Sequence, residues 1–238
     1  MKIDVLAFAA HPDDAELGCS GTLARMKAQG KSIGIIDLTK GELGTRGTPE
    51  IRAAESAAAT KVLGLDVREN LGFRDGFFRN DEEHQLEVMR MLRKYRPEVI
   101  LINAPFDRHP DHGRGSVLVR EAAFLSGLRM ISTQEEGEEQ EPWRPKKVFK
   151  YIQDHRLEPS FVVDISEQFE TKMEAIRAFS SQFFNPNSAE PDTYISSPAF
   201  IQAVEARAKQ MGHIIGVPYG EGFISERPLR VGDLFNHL

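Results

Sequence analysis

The sequence predicts an α/β protein built on a mainly parallel, Rossmann-like sheet with helices on both faces. Three observations carry that expectation. Short, nearly continuous apolar runs recur along the chain, the pattern of strands buried on both faces. Segments with helical spacing separate them, and strand–helix alternation is the signature of a parallel sheet. Several of those segments open and close on residues suited to helix caps. The chain has 238 residues, a length that suits one large domain. No repeat or clean linker divides it, so residues 1–238 are read as a single domain.

In chain order, residues 5–10 form the first buried strand. Residues 20–29 carry Leu23, Ala24 and Met26 at helical spacing and close on Gly30. Residues 32–38 are the second strand, completing a βαβ unit whose crossover must be right-handed. Thr48 and Pro49 supply an N-cap and first helical residue for a helix reaching Gly64. Residues 67–73 read as a strand. Residues 82–95 are amphipathic, with Leu86, Met89, Met91 and Leu92 inward, and Pro97 stops them. Residues 99–103 are the next strand and 115–128 the next helix. The rhythm then changes. Glu135, Glu136, Glu138, Glu139 and Glu141 read as an exposed acidic loop. Residues 148–152 and 161–165 read as strands, and Ser166 as the cap of a helix running towards Phe179. A turn-rich segment with exposed aromatics, Phe183 and Phe184, precedes a last helix at 198–211.

Composition narrows the function classes. Hydrophobic residues make up 40% and charged residues 28%, which predicts a sizeable core under a well-solvated surface. The formal net charge of -6 lacks the basic field of a nucleic-acid binder, so no nucleic-acid partner is expected. Cys19 is the single cysteine, which excludes a disulfide framework and any multi-cysteine metal site. That usage fits a reducing cytoplasm. The apolar segment near Met1 is too short to span a bilayer and carries no signal-type cleavage region, so no membrane partner is expected and the location is read as cytoplasmic.

Chemistry concentrates in two tetrapeptides. His11-Pro12-Asp13-Asp14 directly follows the first strand, where ligands of open α/β sheets bind. Imidazole and carboxylate both suit zinc. Adjacent aspartates on a tight turn point in different directions, so one can ligate a metal while the other serves as a general base. Taken alone, the segment is also explained as a turn that caps a helix. The Gly18-Cys19-Ser20-Gly21 segment reads as a turn leading into that helix, and no phosphate-cradling glycine pattern is present. His109-Pro110-Asp111-His112 repeats the arrangement after the strand at 99–103. It too could be a helix N-cap with surface histidines. Two such loops at neighbouring strand ends would instead share one crevice. Together they supply the three protein ligands and open position of a catalytic zinc site.

These motifs resemble those of the LmbE-like, or PIG-L, family of zinc N-acetylglucosamine deacetylases. Gly18 to Leu23, Thr39-Lys40-Gly41-Glu42, Arg52-Ala53-Ala54-Glu55 and the tail 216–226 are similar to its bacillithiol-biosynthesis branch, and the likeness covers essentially the whole chain. The resemblance implies an LmbE-like fold and a homo-oligomer, for which Phe183 and Phe184 are candidate interface aromatics. It implies that His11, Asp14 and His112 ligate Zn2+, with Fe2+ an alternative for the same set. Asp13 would be the general base. His109 would stabilise the oxyanion or protonate the leaving amine, and Asp111 would orient a histidine. The substrate would be an N-acetylated amino sugar, N-acetylglucosaminyl malate in that branch, whose carboxylates suit Arg52 and Arg108. For Arg52 the alternative is a surface ion pair with Glu50 or Glu55. Tyr194 could swing over the site as a donor. One departure from the family pattern is Ala15 after the paired aspartates, with Glu16 following. His155 and His213 are read as structural or surface residues and Cys19 as a small buried one. The readings left open are a deacetylase of a chitooligosaccharide or inositol-linked glucosamine, a phosphoesterase, and a non-catalytic sugar- or metal-binding module.

Overall fold

A computed structural model of the chain describes residues 1–230, 232 and 233. Its elements in order are β1 (Val5–Ala9), α1 (Asp14–Ala28), β2 (Ile33–Thr39), α2 (Pro49–Leu63), β3 (Val67–Phe73), α3 (Glu82–Tyr95), β4 (Val99–Ile102), α4 (Pro110–Leu125), a small hairpin of β5 (Gln134–Glu135) and β6 (Glu138–Glu139), β7 (Lys147–Tyr151), β8 (Phe161–Asp164), α5 (Phe169–Arg177), α6 (Pro198–Ile215) and β9 (Gly220–Ser225). The main sheet runs β3-β2-β1-β4-β7-β9-β8. Its first five strands are mutually parallel, and β9 is antiparallel to both neighbours. The mainly parallel sheet of the sequence reading is therefore observed.

Period-two alternation along the strands builds both faces at once. Leu6, Phe8, Ile36, Leu38, Ile100 and Ile102 pack with Val88, Met91 and Leu92 of α3 and Leu118 of α4. Val5, Ala7, Ala9, Ile33, Ile35 and Leu101 face the other way, against Ala15, Cys19 and Leu23 of α1. A third cluster joins α5 and α6 through Met173, Ile176, Phe179, Phe200 and Val204.

Caps explain the well-placed helix ends. Thr48 Oγ1 accepts from the Ile51 amide at 3.3 Å, and Gly64 closes α2 in the left-handed region. Elsewhere the structure corrects the sequence reading. The helix expected from residue 20 begins at Asp14, so the segment from Gly18 to Gly21 is helical and not a turn. The two glycines are contact points: a Cβ on Gly18 would lie 2.2 Å from Cδ2 of Tyr151, and one on Gly21 2.7 Å from Cδ1 of Ile165. The helix expected from residue 115 starts at Pro110. Ser166 opens a short 3-10 turn without a side-chain cap bond, and its hydroxyl donates to Asp164 instead. The acidic stretch is a tight hairpin, with Glu136 and Gly137 at positive φ, and Glu135 ion-pairs with Arg90 and Lys94. Phe184 is 48% exposed, but Phe183 is 2% exposed and stacks on Phe200, so it belongs to the core and offers no surface.

Candidate metal centre and active site

Strands β1 and β4 are adjacent. The two histidine-bearing segments therefore leave the same edge of the sheet side by side and open one cavity of roughly 300 Å³. His11, Asp13, Asp14, His109 and His112 all line it. Each tetrapeptide runs into a helix N-terminus, at Asp14 and Pro110 respectively.

Asp14 is the hub. Its Oδ2 lies 3.4 Å from His11 Nδ1 and its Oδ1 3.1 Å from His112 Nε2. The carboxylate is further fixed by the His11 amide at 2.9 Å, Asn103 Nδ2 at 3.2 Å and Gln153 Nε2 at 2.5 Å. Each imidazole is steered from behind by a carboxylate at its other nitrogen. His112 Nδ1 is 2.8 Å from Asp107, while His11 Nε2 is 3.0 Å from Asp75 and 3.4 Å from Asp111. Carboxylate-oriented imidazoles are the usual support of a metal site, because they fix the tautomer that leaves one nitrogen lone pair free. Burial disfavours charge on His11, yet the hydrogen bonds from Asp111, Asp14 and Asp75 hold its pKa well above the ordinary imidazole value. Burial likewise opposes charge on His112, and Asp14 and Asp107 raise it to about 9. Burial would lift Asp14, and His112 and His11 hold it well below the carboxylate range. The cluster thus demands positive charge between two imidazoles and a carboxylate. Two imidazoles and one carboxylate are a donor set that a divalent transition metal accepts. The same region offers two other ligand groupings, His11 with His109 and His112, and His11 with Asp75 and Asp111. In the trio centred on Asp14, Asp75 stays on His11 Nε2 and Asp107 on His112 Nδ1, each in its steering position.

Asp13 stands apart from these contacts. Its backbone has φ 121° and ψ -23°, and although it caps α1 its side chain makes no capping bond. Burial pushes its pKa up to about 7, with Asp14 and Glu16 adding to the rise and Arg52 and His11 opposing it. A cation beside it would draw that value down. His109 is half-buried at the N-cap of α4, where its Nδ1 accepts the Asp111 amide at 3.2 Å. The ring proton therefore sits on Nε2. Burial and the neighbouring His11 and His112 depress its pKa, which keeps the ring neutral. Asp111 is fully buried, accepts from the Gly76 amide at 2.8 Å, and pairs with Arg114 as well as His11.

The expected substrate residues also border the cavity. Arg52 is buried, with Nη1 donating to Gln182 at 2.8 Å and Nη2 reaching both the Pro12 carbonyl and Asp13 Oδ2, the latter at 3.1 Å. It makes no surface pair with Glu50 or Glu55. Arg108 and Tyr194 lie exposed at the mouth, the guanidinium 4.9 Å from the ring centre, and Tyr194 donates to Asp154 at 3.3 Å. His155 contacts Phe106 outside the ligand cluster, and His213 is exposed on α6. Glu16 is buried and pairs with Arg68 at 2.6 Å, away from the imidazoles. Burial holds the Cys19 thiol well above its ordinary pKa, which makes it inert. Sequence reasoning missed Asp75, Asp107 and Gln153. Asp107 alone left a signal, an aspartate five residues before His112 in the same loop.

A cleft at the strand ends of this fold, furnished with a metal-type donor set and a spare carboxylate, is the arrangement that suits a metal-dependent hydrolase. Residues 6–123 match the GlcNAc-PI de-N-acetylase (PIG-L) family, and the chain belongs to that family. Its structure is similar to that of a conserved protein from Thermus thermophilus, with a TM-score of 0.86 and 41% identity across 96% of this chain and 97% of that one. The diacetylchitobiose deacetylase of Thermococcus kodakarensis is 29% identical over 190 residues, 75% of this chain and 70% of that protein. A probable N-acetyl-alpha-D-glucosaminyl L-malate deacetylase of Bacillus subtilis is 27% identical over 199 residues, 76% of this chain and 84% of that protein.

Proposed function

We propose that the chain removes the N-acetyl group from an N-acetylglucosamine conjugate, N-acetylglucosaminyl malate being the conjugate that fits best, with His11, Asp14 and His112 holding zinc. Iron(II) is the other cation this ligand set accepts. The observation that carries the reading is the joint geometry of one cavity: a two-imidazole, one-carboxylate trio, an unliganded Asp13 beside it, and a neutral His109 facing it. A purely binding module has no need of the spare carboxylate.

A divalent cation in the trio would supply an acidified water and a Lewis-acid contact for the amide oxygen. Asp13 takes the proton of the attacking water and returns it to the nitrogen as the C–N bond breaks. His109 donates its Nε2–H to the oxyanion; its neutral state suits a hydrogen-bond donor better than an acid. Asp111 and Asp75 steer His11, and Asp107 steers His112. Arg108 and Tyr194 receive the conjugate's outer part at the mouth. At roughly 300 Å³ the cavity is at the small end of ligand sites, which favours one hexosamine with a compact substituent over an oligosaccharide. The Bacillus subtilis relative supports malate as that substituent. A homo-oligomer in the cytoplasm completes the reading; among the described residues no helix is long and apolar enough to cross a membrane.

Amine release from N-acetylglucosaminyl malate, N-acetylglucosamine and diacetylchitobiose tests it, with and without chelator, for the parent and Asp13→Ala. The expected result is chelator-sensitive release, fastest with the malate conjugate and lost in the variant. Preferential release from diacetylchitobiose would replace malate by an oligosaccharide, and no release from any substrate by metal-loaded protein would overturn the deacetylase assignment.

A further inference from the structure

Asp13 occupies a backbone conformation that only glycine adopts freely. The two other non-glycine residues at positive φ among those described, Arg96 and Glu136, sit near 50°, where left-handed turns are ordinary, whereas Asp13 stands at 121°. Something outside the turn must hold it there, and the candidate is visible. Nη2 of Arg52 reaches the Pro12 carbonyl and Asp13 Oδ2 together, gripping the main chain and the side chain of the turn from one atom. The guanidinium is held from the rear. Gln182 accepts from Nη1 at 2.8 Å and itself donates to the Arg46 carbonyl at 2.7 Å and to Ser181 Oγ at 2.9 Å. Ser181 is tied to Glu55, three residues after Arg52 on α2, by its amide at 2.7 Å and its hydroxyl at 2.8 Å. The chain of bonds closes on the helix it left. Gly41 backs directly on the group, since a Cβ there would lie 2.9 Å from Arg52 Cζ. Nη2 is engaged by the Pro12 carbonyl and lies against the Asp13 carboxylate, so a substrate carboxylate could take a bidentate fork only by displacing them.

We propose that Arg52 is a positioning residue that holds Asp13 in its strained turn and aims its carboxylate, and that anion recognition is left to the residues at the mouth. This rests on Asp13 being the general base. Displacing such a group by about 1 Å costs on the order of 10²-fold in turnover.

The test is steady-state kinetics of Arg52→Lys and Arg52→Met on N-acetylglucosaminyl malate and on methyl N-acetylglucosaminide, repeated with Arg52→Met in an Asp13→Asn background. Bound metal and thermal melting are measured on every variant. The expected result is a fall in kcat on the order of 10²-fold by the same factor on both substrates, with KM and metal content kept and part of the rate recovered by lysine. On the malate conjugate, Arg52→Met should subtract nothing further once Asp13 is Asn. A loss confined to KM for the malate conjugate would make Arg52 the anion receptor and overturn the proposal. An undiminished extra loss in the Asp13→Asn background would overturn it too, because Arg52 would then act independently of Asp13. Full turnover by Asp13→Asn alone would instead overturn the base assignment on which the proposal stands.

Discussion

Replacing Asp107 by Asn is expected to loosen the metal without unfolding the protein. The carboxylate accepts from four groups: the His112 ring at 2.8 Å, the amides of Arg108 and His155 at 2.8 Å each, and the Asp154 amide at 3.4 Å. All four are donors when His112 keeps its proton on Nδ1 and offers Nε2 to the metal. An asparagine has one oxygen and one NH2. Whichever way it turns, the NH2 meets a donor: the imidazole N–H in one orientation, the backbone amides in the other. Moving the imidazole proton to Nε2 relieves the first clash but consumes the lone pair that binds the cation. Loss of such a supporting bond costs roughly 10–100-fold in metal affinity, or about 1.4–2.8 kcal/mol. Competition against a chromophoric chelator at fixed pH reads the metal Kd directly, with circular dichroism to confirm that the variant is folded. A folded Asp107→Asn that binds metal as tightly as the parent would refute the role of Asp107, and with it the use of His112 Nε2 as a ligand.

Two further expectations concern stability. Lys172 and Glu221 form a buried pair at 2.7 Å wedged against α1, with Glu221 also accepting the Gly21 and Thr22 amides. Lys172→Met strands a buried carboxylate and should cost about 3–5 kcal/mol, a fall in Tm of roughly 6–20 °C for a chain of this size. The double replacement Lys172→Met with Glu221→Leu should regain only part of it in the same melt, because the Gly21 and Thr22 amides lose their acceptor, and an unshifted single variant would dismiss the pair as a stabilising unit. Gly18→Ala should lower the stability read from urea unfolding by roughly 1–3 kcal/mol, because its methyl meets the fully buried Tyr151 ring, whose hydroxyl is anchored on the Phe8 carbonyl at 3.0 Å. The sign is diagnostic, since glycine to alanine inside a helix otherwise stabilises.

Much of this is legible in the sequence because strand burial and helix capping act locally. The runs at 5–10, 32–38 and 99–103 correspond to β1, β2 and β4, and the strand at 67–73 and the helix at 82–95 have the bounds expected of them. The pairing of the two tetrapeptides in one crevice follows from strand-end position once β1 and β4 are neighbours, which the sheet order supplies. Errors arise where tertiary packing overrides local preference. Gly18 and Gly21 speak for a turn by propensity, but the sheet needs them inside α1 so that Tyr151 and Ile165 can approach. β9 escapes a pattern search because Gly220 and Gly222 dilute its apolar run; Gly222 is small because the Met211 sulfur would lie 2.9 Å from a Cβ there. Phe183 reads as exposed from a turn-rich neighbourhood, while its contact, Phe200, lies on the next helix. Asp75 reaches His11 from the loop after β3, a juxtaposition that no spacing in the sequence encodes.

The position of β9 bears on how the chain is made. Gly220–Ser225 lies between β7 and β8 and hydrogen-bonds to both, although each of them leaves the ribosome long before it. Until β9 arrives, the parallel half ends in a bare β7 edge and β8 has no partner in the sheet. An unpaired edge in a nascent chain invites wrong pairing. Every residue of the cavity has been synthesised by then, yet Gln153, which holds Asp14, follows closely on the strand that β9 must cover. The proposed catalytic groups are therefore translated early and locked late, and a ribosome-stalled chain ending before residue 220 should carry every proposed ligand on a sheet that is not yet closed.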